Sequence, residues 1–525
     1  MHFAGEASGE VYIRINQVGY LPEDPKVAIV MSSEDIIGCF WTIENKNGNT
    51  EMSGFLGDDM GVWLNDFHHY KIDFSNLRKS GEYRIKLQDS TSPKIIVDKN
   101  IYRDILEAAI DFYQFQRCGW DREGYGLPCH LLDATEIIGG PLDRERIDAD
   151  GGWHDAADYV KFTLTTANTI YLMMLTCQVH HIPEEVKMKI LDEAKVGLNW
   201  LQKMYYAPGE LLLQVSDLRD HTANWRLPEN DQMVRDRPAH YGPSKAVLGS
   251  VSSAFAISAQ VFHKYDTEIS ETYKSLAISA YNSSRRVNVL TSSGPDSMYY
   301  DNTEWDNLAL AAVEIFQLTG VESYLKDSQE HLRGNRVAWV SWGDVGMIAA
   351  LRLAKYDKKY AAIAKELLEY FDSIARSNPF GFPLEEFPWG TTSVQAGLGS
   401  IAFMYELSTK SEQFLSFAYQ QRDFILGLNP YGISFVIGFG KAFPKHPHHQ
   451  ISFLTGKELT GALMEGLVDR KLYESKDIEL EKEDLFIRFQ SENVVYYDER
   501  LNYLTNEPSI FANALLILLL SKFVR

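Results

Sequence analysis

Between Gly151 and Tyr159 the chain reads Gly-Gly-Trp-His-Asp-Ala-Ala-Asp-Tyr, which sets the carboxylates of Asp155 and Asp158 three residues apart among small neighbours that leave room for a ligand. Such a pair can hold one water between its two groups. Hydrolysis of a glycosidic bond with inversion needs a carboxylate base on one side of the sugar and a protonated acid on the other, about 6.5–9.5 Å away. A second group stands near the C-terminus, where Tyr503-Leu504-Thr505-Asn506-Glu507-Pro508-Ser509 puts Glu507 just ahead of an apolar helix. Partial burial there raises a carboxyl toward what a general acid needs. These acids also have a plain structural reading as helix caps, and spacing alone leaves both readings open.

Two kinds of element have to position these residues. From Val11 to about Ile96 the apolar residues alternate, Val11, Ile13 and Ile15 with Tyr12, Arg14 and Asn16, and Tyr83, Ile85 and Leu87 with Arg84, Lys86 and Gln88. That period describes half-buried strands. Turn signals at Leu21–Pro25, Asn47–Asn49 and Ser80–Gly81 cut them to the lengths of a small immunoglobulin-type β-sandwich, predicted over residues 10–98. After Ile101 the period changes to three and four, in Ile101–Gln116, Phe162–Val179, Glu184–Met204, Lys245–His263, Glu304–Leu318, Gly343–Ala354, Lys358–Ala375, Ser393–Leu407, Glu412–Leu426 and Ser509–Phe523. So many helices without an intervening strand pattern predict a mainly α second domain, residues 101–525, in which paired helices close into a toroid. The long loops Gly119–Gly152, Val215–Gly242 and Tyr431–Gly456 carry most of the His, Trp, Asp and Pro, and function concentrates on such loops.

Composition narrows the partners. With 51 Lys and Arg against 72 Asp and Glu, the net charge of −21 argues against nucleic acid and against an anionic membrane surface. The longest apolar run, Ala514–Leu520, is far short of the roughly 18 residues a membrane span needs and reads as a buried helix. Ten Trp and 28 Tyr suit stacking against sugar faces as well as filling a core. No Lys/Arg-led apolar stretch opens the chain, so a cytoplasmic location is expected if Met1 is the native start, and a secreted or periplasmic one if a signal peptide has been removed. Oligomeric state leaves no mark on the sequence.

In combination these segments resemble glycoside hydrolase family 9. Gly151–Tyr159 is similar to the family's base motif and Asn506-Glu507 to its acid motif. Arg14-Ile15-Asn16-Gln17-Val18-Gly19-Tyr20-Leu21-Pro22 resembles the start of the immunoglobulin-like domain that precedes many catalytic domains of the family. Leu426-Gly427-Leu428-Asn429-Pro430, Ser434–Gly440 and His446-Pro447-His448-His449 resemble its substrate-loop signature. The resemblance implies a six-hairpin (α/α)6 toroid behind the β-sandwich and an inverting hydrolase of β-1,4-glucan-type linkages. In that scheme Asp158 is the base, Asp155 helps hold the water, and Glu507 is the acid. His448, Gln450 and Tyr503 are the expected sugar contacts.

Cys118, Cys129, His130 and His154 supply two thiols and two imidazoles, a set suited to tetrahedral zinc. Their alternative is two buried thiols and two loop histidines; family precedent for zinc at matching positions favours the metal. Because His154 adjoins Asp155, a closed four-ligand site implies a structural role. Calcium also occurs in the family, although no Asp-x-Asp-x-Asp-Gly loop stands out here.

The chain departs from the family pattern at two places. His448-His449-Gln450 stands where His-His-Arg is usual, replacing a fixed cation by a neutral amide. Pro508–Ala514 stands where the acid motif usually continues with a further Asp. Both changes leave room for an exo-acting β-glucosaminidase or β-glucosidase on short oligosaccharides. A non-catalytic carbohydrate-binding protein is disfavoured by the intact carboxylates, and a polysaccharide lyase on the same toroid by the motif set.

Overall fold

The structure, a computed structural model, describes residues 9–524 apart from Asp121, Glu123, His180 and Asn302. Strands β1 (Val11–Arg14), β2 (Val27–Ser32) and β5 (His68–Asp73) form one antiparallel sheet in the order β1-β2-β5. The facing sheet has the order β4-β3-β6-β7, from β3 (Phe40–Asn45), β4 (Thr50–Phe55), β6 (Gly81–Leu87) and β7 (Ser90–Thr91), with β8 (Ile95–Val97) also paired to β6. Alternation does what the sequence predicts: Tyr83, Ile85 and Leu87 point into a core with Ile13, Ile43 and Tyr70, while Glu82, Arg84 and Lys86 face water.

Among the described residues, twelve longer helices build the toroid of the second domain, beside a few short ones in its loops. Six are buried inner helices: α2 (Thr163–Val179), α4 (Lys245–Phe262), α6 (Trp305–Thr319), α8 (Gly346–Leu353), α10 (Thr391–Thr409) and α12 (Ile510–Ser521). Each packs on the next, and α12 returns to α2, closing the ring. The outer partners are α1 (Arg103–Asp111) on α12, α3 (Glu184–Met204) on α2, α5 (Thr267–Ser284) on α4, α7 (Glu322–Leu332) on α6, α9 (Ala361–Ala375) on α8 and α11 (Leu415–Ile425) on α10. Inner helices are apolar nearly all round because both faces are covered; outer ones keep a wet polar face. The stretches Lys245–Phe262 and Tyr503–Ser521 are long and apolar enough to cross a membrane by length and composition, and 89% of each is buried inside the protein.

Helices α5 and α7 lie outside the stretches read as helical from the sequence, although Tyr273, Ala277, Ala280 and Tyr281 of α5 recur at helical spacing. Only Ser328 and Leu332 of α7 are fully buried, so its apolar stripe is too thin to stand out. A small sheet also appears among the loops, in the order β10 (Lys161–Phe162), β11 (Leu212–Val215), β12 (Ala239–Tyr241) and β9 (Ile137–Ile138). It ties the start of α2 to the long loops at one end of the toroid.

The sandwich docks through the Asn16–Asp24 segment. Asn16 donates to Asp423 Oδ1 (2.7 Å) and Tyr102 (3.0 Å), Gln17 accepts from the backbone of Lys441 and Ala442, and Arg422 pairs with Asp24 at 2.7 Å. Leu426-Gly427-Leu428-Asn429-Pro430, which the sequence reading groups with a substrate loop, is engaged in this interface: Leu426 O accepts from Gln17 N–H, and Gly427, at φ +121°, lies against the Gln17 side chain. Asn429 is fully buried, donating to Phe424 O and Ile433 O.

Candidate active site

The base-motif loop is held from several sides. Gln116, ending a short helix Tyr113–Gln116, accepts from His154 N–H at 2.7 Å and donates to Ala156 O at 2.7 Å. Trp153 is buried over Gly197 of α3, where a Cβ would meet its ring at 2.3 Å, and its indole donates to Glu193. Lys161, fully buried, donates to the carbonyls of Ala149 and Gly151 and pairs with Asp133 at 3.0 Å. Ile510 N–H, at the start of α12, donates to Asp155 O at 3.0 Å, so the two ends of the catalytic domain meet here.

Asp155 is buried with both oxygens engaged, Oδ1 by the Thr165 hydroxyl (2.5 Å) and Oδ2 by the Tyr299 phenol. Burial pushes its carboxyl up to about 6. Asp158 behaves oppositely: burial opposes its charge, but the His221 imidazolium against Oδ2 more than offsets that and leaves it below the ordinary carboxylate range. His221 is correspondingly raised to about 9, because the Asp158 charge outweighs burial. Glu507 is pushed well up, first by burial and then by the charge on Asp158, although Ala157 N–H donates to its Oε1 at 3.1 Å. One carboxyl is thus kept ionised and its partner kept protonated, the division of labour an acid–base pair requires.

Asn506 aims Glu507. It is fully buried, donates to His446 O and Asp498, and accepts from His448 N–H at 2.8 Å through its carbonyl. The His446–His449 segment is thereby tied to the residue next to Glu507. His448 is kept neutral by burial; its Nδ1 lies 2.6 Å from Arg500 O, and its ring meets Trp225 and Tyr503 edge-on. Tyr503 also packs on Trp389, which is exposed. Gln450 is placed differently from the sequence expectation: it is buried, and its Oε1 accepts from Arg226 N–H at 3.0 Å, holding the loop that carries His221 and Trp225.

Three residues beside the carboxylates carry no motif of their own. His221, Tyr299 and Glu465 come from three separate loops. The sequence signal for His221 is an Asp-His pair inside the long Val215–Gly242 loop; Tyr299 and Glu465 leave none.

Cys118, Cys129, His130 and His154 are all buried, with ligand atoms within 4.8 Å of one another, and among the described residues they are the group of His, Cys, Asp and Glu placed to hold a metal ion. His130 Nδ1 lies 3.2 Å from His154 Nε2 and 3.7 Å from Cys118 Sγ, while its Nε2 is held by Asp231 at 3.0 Å. Two ring nitrogens and two sulfurs facing one dry point, with a carboxylate behind one imidazole, fit a metal centre with its outer support. Elsewhere, Asp301 and Asp306 are buried and Asp344 half-buried beside α6 and α8, each carboxyl raised by burial, with the Asp306 charge adding at Asp301 and Asp344.

Residues 102–520 match the family model for glycosyl hydrolase family 9, and residues 9–92 match the cellulase N-terminal ig-like domain. A cellodextrinase of Butyrivibrio fibrisolvens is 24% identical over 83% of this chain and 86% of its own length. The crystal structure of a metagenome-derived family 9 endoglucanase superposes with a TM-score of 0.84 at 24% identity, covering 98% of this chain and 99% of that one. A zinc-binding triple mutant of another family 9 endoglucanase gives a TM-score of 0.82 at 23% identity, over 96% and 99% of the two chains. With its sandwich, its six-hairpin toroid and the family model spanning nearly all of the second domain, this chain belongs to glycosyl hydrolase family 9.

Proposed function

We propose that this O-glycosyl hydrolase cleaves β-1,4-glucan-type linkages with inversion, Asp158 acting as base and Glu507 as acid. The observation that carries the reading is the opposite drive on the two carboxyls: His221 holds Asp158 ionised, while burial and the Asp158 charge keep the proton on Glu507. In the reaction Asp158 takes a proton from a water as its oxygen attacks the anomeric carbon. Glu507 gives its proton to the departing oxygen, and the product leaves with the opposite anomeric configuration. Asp155, fixed by Thr165 and Tyr299, orients that water. His448 and Tyr503, joined by Trp225 and Trp389, line the sugar path.

Replacing the acid tests this assignment. E507Q keeps the shape and removes the proton, and kcat on cello-oligosaccharides is expected to fall about 10²–10⁴-fold with an unchanged circular-dichroism spectrum. Activity equal to that of the parent protein would overturn it.

The metal set is read as structural zinc. Two thiolates and two imidazoles leave no open position for substrate, and His154 links the metal directly to the loop bearing Asp155 and Asp158. The zinc-binding relative supports the choice of metal.

A further inference from the structure

Glu465 stands beside the reacting carboxyls and has no part in the chemistry above. Its backbone is clamped by the N-terminus of α10: the Glu465 carbonyl accepts from Thr392 N–H (3.1 Å) and the Thr391 hydroxyl (3.2 Å), and the Thr392 hydroxyl donates to Met464 O (2.5 Å). On the other side Gly466 N–H donates to Thr505 O, two residues before the acid. The side chain runs past Gly390, where a Cβ would stand 2.9 Å from Glu465 Oε2. From this position it interacts electrostatically with Asp155, Tyr299 and Glu507. Among the described residues neither of its carboxyl oxygens has a hydrogen-bond or ion-pair partner.

The charges around it are accounted for. Four carboxyls, Asp155, Asp158, Glu465 and Glu507, influence one another electrostatically, and His221 is committed to Asp158. Arg226 is tied to Asp220 and Asp231, and His448 is held neutral by burial. Position 450, where the resemblance would put an arginine, carries Gln450, buried and bonded to backbone. Burial pushes Glu465 up to about 8, with the Asp155 charge adding to it. A half-buried carboxyl with no partner in the protein, carried on a fixed backbone at a substrate site, is open to a partner that the substrate supplies.

We propose that Glu465 is a specificity residue that receives a positively charged amino group on the sugar bound at the cleavage point, so that the preferred substrates are β-1,4-linked oligosaccharides of amino sugars with a free amine. The proposal rests on the hydrolase reading and narrows its substrate class. An ammonium at this place forms a charge-assisted hydrogen bond with Glu465 and screens the repulsion between Glu465 and Asp155, which a neutral hydroxyl cannot do.

The test compares the whole protein and E465Q on matched oligosaccharides of glucosamine, N-acetylglucosamine and glucose, all β-1,4-linked. The expected result is a higher kcat/KM on glucosamine oligomers than on their N-acetylated counterparts. In E465Q the glucosamine-to-glucose ratio of kcat/KM falls by about tenfold or more, the size of a lost charged hydrogen bond. Hydrolysis of cello-oligosaccharides without any of glucosamine oligomers would overturn the substrate class and leave the hydrolase standing. A ratio unchanged in E465Q would overturn the role of Glu465. Should the folded protein cleave none of these substrates, the hydrolase reading fails, and calorimetry with glucosamine oligomers still decides the binding claim: weaker binding to E465Q supports it, and equal binding overturns it.

Discussion

His221 sets the acid side of the pH response. Asp158 works only when ionised, so activity is lost as pH falls through its pKa, and His221 holds that pKa below the ordinary range. Glu507 works only when protonated, so activity is lost as pH rises through its raised pKa. Removing the imidazolium in H221N should move the acidic limb of the kcat/KM profile upward by about one to three units, and the alkaline limb should move up by less, because the His221 charge also holds Glu507 down against the larger effects of burial and Asp158. An acidic limb that does not move would show that His221 leaves the base unaffected. At this scale the sequence singles out carboxylates that sit in short motifs, Asp155 with Asp158 and Glu507 behind Asn506, and it singles out the Cys–His set by residue type, which the structure gathers into one cluster. It was silent for Tyr299 and Glu465, because a side chain brought in by a distant loop has no local spacing to betray it. Gln450 shows the converse: its motif position suggests a sugar contact, and its burial turns it into a backbone support.

At the level of elements, the inner helices were readable because continuous apolar faces are forced on any helix covered on both sides, and Glu184–Met204 has the bounds its periodicity predicts. The outer helix α7 was not, since it buries only Ser328 and Leu332, and α5 lies outside the stretches read as helical although Tyr273, Ala277, Ala280 and Tyr281 recur at helical spacing. The loop between α1 and α2 depends on something else again, the cluster of Cys118, Cys129, His130 and His154. Removing zinc with a strong chelator is expected to lower the melting temperature by several degrees and reduce activity, and C118S should show the same loss with no further response to the chelator. A metal content well below one zinc per chain, with a melting temperature indifferent to chelation, would contradict the structural role.

For the molecule as a whole, the β-sandwich is part of the catalytic domain's support. Arg422, fully buried, stacks over Tyr102 and Phe523 and pairs with both Asp423 and Asp24, so a charge from the first domain is built into the back of the toroid. D24N leaves that guanidinium half-paired and is expected to destabilise the protein by on the order of 3 kcal/mol, read as a lower denaturant midpoint; no change would mean that the domains are only loosely joined. The segment responsible, Asn16–Asp24, was visible in the sequence as a motif, but its work as an interface was not, because its partners lie some four hundred residues away in Arg422, Asp423 and Leu426. The same ring closure that joins Ile510 to Asp155 brings base and acid together from opposite ends of the domain. Whether these two carboxyls perform a single displacement is read from proton NMR of the anomers during the first minutes of hydrolysis, on cello- and glucosamine oligosaccharides. The prediction is that α-anomers appear first and then mutarotate; β-anomers appearing first would mean retention, and would contradict Asp158 as a base acting through water.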